Sequence, residues 1–279
     1  MRNKYPPRMG TALLNMPYWL WSLLFILAPL AMMVVYAFTD EAGQFTLSFF
    51  EQITSRPELY RDAFAVSLRY ALIATVVCLV LAFPLAHFMA HTRPATQRTL
   101  MMLLMVPMWM NFLICTYAWV TILETNGIIN NLLTSIGLPR LKMIQTPGAV
   151  ILGMVYNYLP FMILPIYTVM SRLNTSLVEA AHDLGASRFQ VLLKITAPLS
   201  LPGVVSGVVM VFVPSVSTFY ISQKLGPANN PLIGDVIEGL MPSQLNLGAA
   251  LSLILMAIIL VCMTVMNRFS DQESGALIA

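Results

Sequence analysis

The sequence contains few charged residues, and this scarcity indicates the class of protein. Aspartate, glutamate, lysine and arginine make up 10% of its 279 residues, whereas apolar residues make up 58%. Soluble domains contain about 25% charged residues, so the composition excludes an ordinary soluble domain and indicates an integral membrane protein. The formal net charge of +3 is too small to suggest nucleic-acid binding.

Motifs for disulfides, nucleotide binding and catalysis are also missing. The three cysteines, Cys78, Cys115 and Cys262, lie singly in apolar runs, so neither a disulfide framework nor a zinc site is indicated. None of the four lysines follows a glycine, which excludes the phosphate-binding loop G-x-x-x-x-G-K. We therefore expect no cofactor or metal on this chain, and any ATP that drives it must bind another subunit. A membrane enzyme is disfavoured, because no nucleophile–base or metal constellation lies at the end of an apolar run.

What the sequence does contain is six apolar runs, each long enough for a helix across a bilayer, which takes about 20 residues. The runs cover 17–38, 64–90, 99–123, 147–170, 200–222 and 247–268. We predict an all-α integral membrane protein with a segment 1–16, a six-helix domain over 17–270 and a tail 271–279. Prolines inside the runs, such as Pro107 and Pro214, are expected to kink helices.

The segments between the runs alternate in charge, which indicates their sides of the membrane. One side has nine basic residues, namely Arg2, Lys4, Arg8, Arg93, Arg98, Arg172, Arg188, Lys194 and Arg268. The other side has five basic residues, Arg56, Arg61, Arg140, Lys142 and Lys224, together with eight acidic ones. Because basic loops stay in the cytoplasm, both termini are predicted to be cytoplasmic. Among the outer acids, Glu124, Asp235 and Glu238 are candidates for attracting a cation, and the same charge rule is the alternative reason for their presence.

Two of the outer loops contain apolar residues at helical spacing, and we expect a short helix in each. The first loop, 39–63, contains FTLSFFEQI, which suits an interfacial helix, and the second, 124–146, contains NGIINNLLTSIG. The third outer segment, 223–246, is rich in Gly, Pro and Asn, which favours an ordered re-entrant or surface turn.

Amides and aromatic side chains within the apolar runs are candidates for a polar substrate pathway. A buried amide needs a hydrogen-bond partner, and aromatic faces attract organic cations through the ring quadrupole. The alternative is that the tryptophans and tyrosines form interfacial belts. The candidate residues are Trp109, Asn111, Tyr117, Tyr156, Asn157, Phe219 and Tyr220.

Three ionisable side chains lie in or near the second run. Arg69 either reaches the interface or faces a pore, and the first is favoured. His87 and His91 are four residues apart, a spacing that can hold a metal. Without a carboxylate or cysteine beside them, a pair of interfacial histidines is favoured. The lack of buried acids disfavours a proton-coupled transporter, and a sodium-coupled one stays open as an alternative.

The stretch SLVEAAHDLGASRFQVLLKITAP is the longest polar interruption that keeps a helical period. Ser176 and Glu179 have the spacing of a capping box at the start of a helix. Gly185 can close that helix in the left-handed conformation, Ser187 can cap a second one, and Pro198 is expected to end it. Two short helices at an angle on a membrane surface make a connector for another protein, and an ordinary amphipathic loop is the alternative.

This stretch resembles the EAA motif of bacterial ABC-importer permeases. The matching residues are Glu179, Ala180, Ala181, Gly185, Ile195 and Pro198. Ala197 departs from the pattern, because leucine usually precedes the proline. In that family the loop, here 172–198, is a coupling helix in a groove of the ATPase subunit. The resemblance implies that the matching residues, together with Asp183, couple this chain to an ATPase.

Nearly the whole chain is similar to the spermidine/putrescine permease subfamily, notably in VPMWMNFLICTYAW and FYISQKLGPANNPLIGDVI. The similarity implies a type I ABC importer of the bacterial inner membrane. Its parts are two permease chains, expected to differ from each other, two ATPases with ATP and magnesium, and an extracytoplasmic binding protein. ATP-driven closure of the ATPases then turns the spans outward, and hydrolysis resets them inward. A polyamine or similar small organic cation is the expected cargo, and an opine, an amino-acid-like compound or ferric ion is the alternative.

Overall fold

The computed structural model describes residues 9–40 and 42–276, and the side chains of 9–15, 175, 182, 267 and 269–276 are not part of that description. Four of the charged residues that were counted for the topology prediction lie outside the described residues: Arg2, Lys4, Arg8 and Glu41. The described residues form helices and one isolated antiparallel bridge, between Thr39 and Phe45. The all-α prediction is confirmed.

The helices of the described chain vary from three to 34 residues. In chain order they are α1 Met9–Ser22, α2 Ala28–Phe38, α3 Ser48–Ser55, α4 Pro57–Ala90, α5 Pro94–Trp109, α6 Phe112–Leu123, α7 Ile128–Ser135, α8 Pro147–Met170, α9 Thr175–Asp183, α10 Arg188–Val191, α11 Ala197–Leu199, α12 Leu201–Ser217, α13 Tyr220–Leu225, α14 Ile233–Leu240 and α15 Leu245–Ala276. Two π-helical turns, Leu23–Leu27 and Leu192–Thr196, join α1 to α2 and α10 to α11.

Several helical segments are long and apolar enough to cross a membrane. Within the described residues there are five: Met16–Phe38, Pro57–Ala90, Phe112–Ser135, Pro147–Met170 and Leu245–Met266. The number rises to six when Arg188–Leu199 and Leu201–Ser217, which meet at an angle of 67°, are taken as one bent span. The chain is therefore built as a multi-pass membrane protein.

The third apolar run is broken. The prediction of one helix over 99–123 is wrong, because α5 ends at Trp109 and α6 begins at Phe112. Pro107 removes a backbone donor from the last turn of α5. Asn111 then starts the next helix, since its side-chain oxygen accepts the backbone N–H two residues further on, at 2.8 Å.

The fifth apolar run is divided in the same way. The predicted helix over 200–222 is two helices, because α12 ends at Ser217 and α13 begins at Tyr220. Pro214 lies in the last turn of α12, and the hydroxyls near it bond to their own helix. Ser215 Oγ donates to the carbonyl four residues back at 2.7 Å, and Ser217 Oγ does so at 3.2 Å.

Both π-turns stand directly before an Ala-Pro pair. In each, the alanine N–H donates to the carbonyl oxygen five residues back instead of four. The following residues, Pro29 and Pro198, lack an N–H, and in a regular helix their rings clash with the carbonyl four residues earlier. The extra residue of a π-turn shifts that carbonyl away. Pro198 is thus accommodated in the last turn of the helix, which ends one residue later at Leu199, and the bend comes at Ser200.

The described chain divides into two compact units. The smaller unit contains the residues up to Arg56 and Ile237–Met256. Its buried centre includes small residues of α2 and α15, namely Ala37, Ala249 and Ala250. The short helix predicted in 39–63 is confirmed as α3, and Phe50 of this helix stacks on Phe38 with ring centroids 5.2 Å apart.

The larger unit contains Pro57–Val236, and its core packs α4 against α8 and α12. Four fully buried small residues form a stripe along α4 at four-residue spacing: Ala74, Cys78, Ala82 and Ala86. On α12, a Cβ added to Gly203 would lie 2.8 Å from the carbonyl oxygen of Pro165 on α8. Small residues therefore set the close approach of these three helices.

Two of the segments predicted to lie on the outer side also contain helices. The short helix predicted in 124–146 is confirmed as α7. The segment 223–246, where we expected an ordered turn, contains the eight-residue helix α14. Its first N–H group, that of Ile233, donates to Ser67 Oγ of α4 at 2.7 Å.

Candidate functional site

The candidate coupling loop begins with a capped helix, but the capping residue is not the predicted one. α9 begins at Thr175, so Ser176 is already inside the helix. Asn174 lies just before the helix, and its Oδ1 accepts the Ser176 N–H at 3.0 Å. The predicted capping box of Ser176 and Glu179 is therefore wrong, because the helix starts two residues earlier than that box requires.

The turn after α9 has the predicted glycine geometry. Gly185 has a φ of +82°, in the left-handed region. The Ala186 N–H reaches back across it and donates to the Ala181 carbonyl at 3.0 Å, the six-to-one bond of a Schellman ending. The next helix, α10, begins at once with a capping box. Ser187 Oγ accepts the Gln190 N–H at 3.3 Å, and Gln190 Oε1 accepts the Ser187 N–H at 2.9 Å.

The coupling loop exposes large apolar side chains. Leu184 is 89% exposed and Phe189 is 68% exposed, and about half of each of Leu177 and Leu193 is exposed. Of the alanines in the EAA motif, Ala181 is buried while Ala180 is exposed. Contiguous exposed apolar side chains beside polar residues are typical of a protein-docking surface.

The remaining candidate coupling residues lie on α9 and in the segment that follows α10. Glu179 and Asp183 are exposed on α9, whereas Ile195 and Pro198 are half-buried beyond α10. In the part of the chain that the structure describes, the Glu179 carboxylate has neither a hydrogen bond nor an ion pair. Its charge is therefore not used for capping its own helix.

Two of the candidate pathway residues meet in an aromatic cluster. The rings of Tyr117 on α6 and Tyr220 on α13 have centroids 6.2 Å apart at 75°, and the ring of Phe112 lies 6.0 Å from that of Tyr220. Lys224 completes the cluster, since its Nζ lies 5.5 Å from the centroid of Tyr117 and 5.8 Å from that of Tyr220. Both distances are within the range of a cation–π interaction. The sequence analysis did not predict Lys224 as part of this cluster. Its four-residue spacing from Tyr220, which places both residues on one helix face, could have indicated it.

The other candidate pathway residues lie outside this cluster. Trp109 is 81% exposed, and Phe219 is also exposed. Tyr156 packs edge-on against Trp119 with centroids 5.5 Å apart. Asn157 Nδ2 donates to the carbonyl four residues back on α8 at 2.8 Å, and Asn111 caps α6. Both amides thus have partners in their own helices.

The three candidate outer acids have different surroundings. Asp235 is tied to the protein, since its Oδ1 accepts Ser222 Oγ–H and its Oδ2 accepts the Leu232 N–H, both at 2.8 Å. Glu124 is exposed, and so is Glu238 on α14. Asp235 lines a cavity of about 270 Å³, which Lys224 also lines, and Glu124 lines another of about 600 Å³.

A buried amide that we did not predict holds the loop around Glu124. Asn130 on α7 is fully buried. Its Nδ2 donates to the carbonyls of Glu124 at 3.1 Å and Leu141 at 3.0 Å, and its Oδ1 accepts the Leu141 N–H at 2.8 Å. Arg140 adds a bond of 2.9 Å to Asn126 Oδ1. The loop is thereby closed on itself.

The ionisable residues of α4 do not form a metal cluster. Arg69 is exposed. The rings of His87 and His91 have centroids 4.2 Å apart, and His91 Nδ1 lies 2.8 Å from the His87 carbonyl oxygen. Among the described residues, no group of three or more histidine, cysteine, aspartate or glutamate side chains could hold a metal ion.

Comparison with known proteins identifies the family. The model of the family described as "binding-protein-dependent transport system inner membrane component" matches residues 82–273. The spermidine/putrescine transport system permease protein PotB of Escherichia coli K12 is 39% identical over 226 residues, which cover 78% of this chain and 82% of that protein. PotB of Haemophilus influenzae is 34% identical over 251 residues, which cover 86% of this chain and 88% of that protein.

Solved structures show the same fold. A bacterial ABC transporter involved in the import of the acidic polysaccharide alginate has a chain with a TM-score of 0.81 and 19% identity, covering 94% of this chain and 95% of that one. The predicted ABC-importer permease fold is thus confirmed. The chain belongs to the family of inner membrane components of binding-protein-dependent transport systems, as a multi-pass permease subunit and not an enzyme.

Proposed function

We propose that this chain forms half of the translocation pathway of an ATP-driven importer for a polyamine such as spermidine or putrescine, or for a similar small organic cation. The observation that carries this proposal is the aromatic pair Tyr117 and Tyr220, which accommodates the ammonium group of Lys224. A lysine side chain ends in a primary alkylammonium, the same group that ends a polyamine. The names of the PotB relatives point to the same cargo.

The coupling loop 172–198 is proposed to dock on the ATPase subunit. Its exposed leucines and Phe189 supply an apolar contact, and Glu179 supplies a charge that no described residue of this chain uses. The Schellman ending at Gly185 fixes the angle between α9 and α10, so the loop can transmit force as a rigid connector. ATP-driven closure of two ATPases moves two such loops together and turns the pathway outward, and hydrolysis returns it inward.

The remaining parts of the importer follow from this role. A related but different permease chain supplies the other half of the pathway, and two ATPase subunits bind ATP and magnesium. An extracytoplasmic binding protein delivers the cargo. Both termini and the coupling loop lie in the cytoplasm, because the basic residues concentrate on that side. The transmembrane domain is assigned to 17–270.

The outer acids are proposed to raise the local concentration of cations. Glu124 and Glu238 carry their charge on segments assigned to the outer side. Asp235 contributes charge too, but both of its oxygens are also used in the local fold.

Uptake measurements test the cargo. The chain is co-expressed with its partner permease, ATPase and binding protein in cells that lack polyamine uptake, and accumulation of radiolabelled spermidine and putrescine is followed. We expect uptake that requires the ATPase and is blocked by excess unlabelled polyamine. Block by an opine, an amino acid or ferric ion, with no effect of polyamine, would assign one of the alternative cargoes.

Affinity purification tests the assembly. The tagged chain is solubilised in mild detergent, and the proteins that remain bound are identified. We expect an ATPase that carries the phosphate-binding loop missing here. Repeated purification without any such subunit, from cells that produce it, contradicts an ATP-driven importer and favours a secondary transporter.

A further inference from the structure

The aromatic pair of the proposed pathway already holds a cation from this chain. Tyr220 and Lys224 are four residues apart on α13, so both lie on one face of that helix. The Lys224 ammonium is within 6 Å of two ring centroids that meet at 75°, those of Tyr117 and Tyr220. Phe112 borders the same cluster through Tyr220. An alkylammonium thus occupies the electron-rich side of the pair.

A substrate ammonium at these rings must compete with Lys224. The two groups have the same chemistry, since each is a primary ammonium on an alkyl chain. Two like charges a few ångströms apart repel, so the rings hold one ammonium at a time. Occupancy by Lys224 therefore lowers the apparent affinity of the rings for any other cation.

A second position is available to the ammonium group of Lys224. Its side chain lines the cavity of about 270 Å³ that Ser222, Gln145 and Asp235 also line. The carboxylate of Asp235 brings negative charge to that cavity, which offsets part of the cost of moving the ammonium there. A lysine has four rotatable bonds, so such a movement needs no change in the backbone.

We propose that Lys224 is a resident cation of the pathway: its ammonium occupies the site over Tyr117 and Tyr220 until a substrate ammonium displaces it towards the cavity beside Asp235. This inference rests on the proposed transport of an organic cation. It assigns Lys224 as a specificity-determining residue, because only a cargo with an ammonium group can take its place on the rings.

The test is equilibrium binding of radiolabelled putrescine to the assembled transporter in detergent, without the binding protein. Lys224→Met removes the competing charge and keeps an unbranched side chain, which is one atom shorter. We expect it to bind putrescine about two- to fivefold more tightly than the unmodified chain, the range that corresponds to an exposed cation–π contact. Lys224→Arg keeps a cation on the rings and is expected to bind putrescine no more tightly than the unmodified chain.

Two further variants separate competition from other effects. Lys142→Met removes another lysine assigned to the outer side, one that contacts neither ring, and is expected to leave binding unchanged. Adding Tyr117→Leu to Lys224→Met is expected to abolish the gain, because it removes one face of the site. Unchanged or weaker putrescine binding by Lys224→Met, with an unfolding midpoint equal to that of the unmodified chain, overturns the inference. Lys224→Gln provides the same test where Lys224→Met does not assemble.

The outcomes also distinguish this inference from the proposed function. If the unmodified importer accumulates polyamine but Lys224→Met shows no gain in affinity, the resident-cation role is wrong and the cargo assignment stands. If the unmodified importer accumulates no polyamine with all partners present, the proposed cargo itself fails.

Discussion

The hydroxyl of Ser222 donates a hydrogen bond of 2.8 Å to Oδ1 of Asp235, and this bond fastens α13 to the start of α14. Oδ2 of the same carboxylate accepts the Leu232 N–H at 2.8 Å. Asp235 is the third residue of α14, so its negative charge also lies at the positive end of the helix. The helix that carries Tyr220 and Lys224 is thereby fixed to the start of α14.

We expect Asp235→Asn to destabilise the protein by about 1–2 kcal/mol. An amide has one acceptor oxygen where the carboxylate has two, so either the bond from Ser222 or the bond from Leu232 is lost together with the charge. Thermal unfolding of the purified permease complex in detergent measures the effect. Glu124→Gln, which removes an exposed acid, is the control and is expected to unfold at the original temperature. Equal unfolding temperatures for both variants would contradict the structural role of Asp235.

The closed loop around Glu124 depends on Asn130. Asn130→Ala leaves the Leu141 N–H and the carbonyls of Glu124 and Leu141 without their side-chain partner. Loss of a hydrogen bond costs about 1 kcal/mol or more, and three part-buried bonds are lost here, so we expect hydrogen exchange at the Leu141 amide to quicken by roughly tenfold or more. Asn131→Ala is the matched control, because this neighbour is exposed and makes a single bond to the Asn126 carbonyl. Unchanged exchange in Asn130→Ala would show that the loop closes without the amide.

Asn130 also illustrates what the sequence could not predict. Periodicity correctly predicted a helix over NGIINNLLTSIG, but the apolar face of α7 includes the exposed Ile128 and Leu132, whereas Asn130 on the polar side is buried. The choice between Asn130 and Asn131 as the buried amide depends on the carbonyls that a distant loop presents. The same holds for Lys224, whose position over Tyr117 is a contact between two helices far apart in the chain.

Local signals were more reliable where one residue type alone fits the backbone. Gly185 was predicted from the need for a left-handed residue, and its φ of +82° confirms it. Helix starts were less certain, because several polar residues can cap. Either Asn174 or Ser176 can be the N-cap of α9. Which of them caps the helix depends on whether the residue between them takes helical dihedral angles. The breaks after Pro107 and Pro214 could not be predicted without the tertiary fold, because membrane helices also tolerate proline.

We expect Gly203→Ala to weaken the packing of α12 on α8. The new Cβ would lie 2.8 Å from the Pro165 carbonyl oxygen and 3.1 Å from the Ile166 Cα, and backbone atoms cannot move aside cheaply. Overpacking of this kind costs about 1–3 kcal/mol. Gly239→Ala is the control, because no atom lies within 4 Å of its added Cβ. The measurement is the thermal unfolding temperature of both variants. A Gly203→Ala protein as stable as the control would disprove the tight contact.

The conformation of Gly185 can be tested with two substitutions that each add a side chain but differ in backbone preference. No atom lies within 4 Å of a Cβ added at this position, so space does not limit the residue. The φ of +82° does, since left-handed backbone costs ordinary L-residues roughly 1–2 kcal/mol, and most of all β-branched ones. Asparagine tolerates this region better than valine.

We therefore expect Gly185→Val to reduce ATPase recovery in affinity purification and to slow coupled uptake, while Gly185→Asn retains most of both. Membrane insertion, measured as the amount of chain in the membrane fraction, should be equal for the two variants. If both lose coupling equally, a side chain of any kind obstructs the docked ATPase, and steric access rather than the turn is decisive. If Gly185→Val couples normally, the angle between α9 and α10 does not transmit the force of ATP hydrolysis.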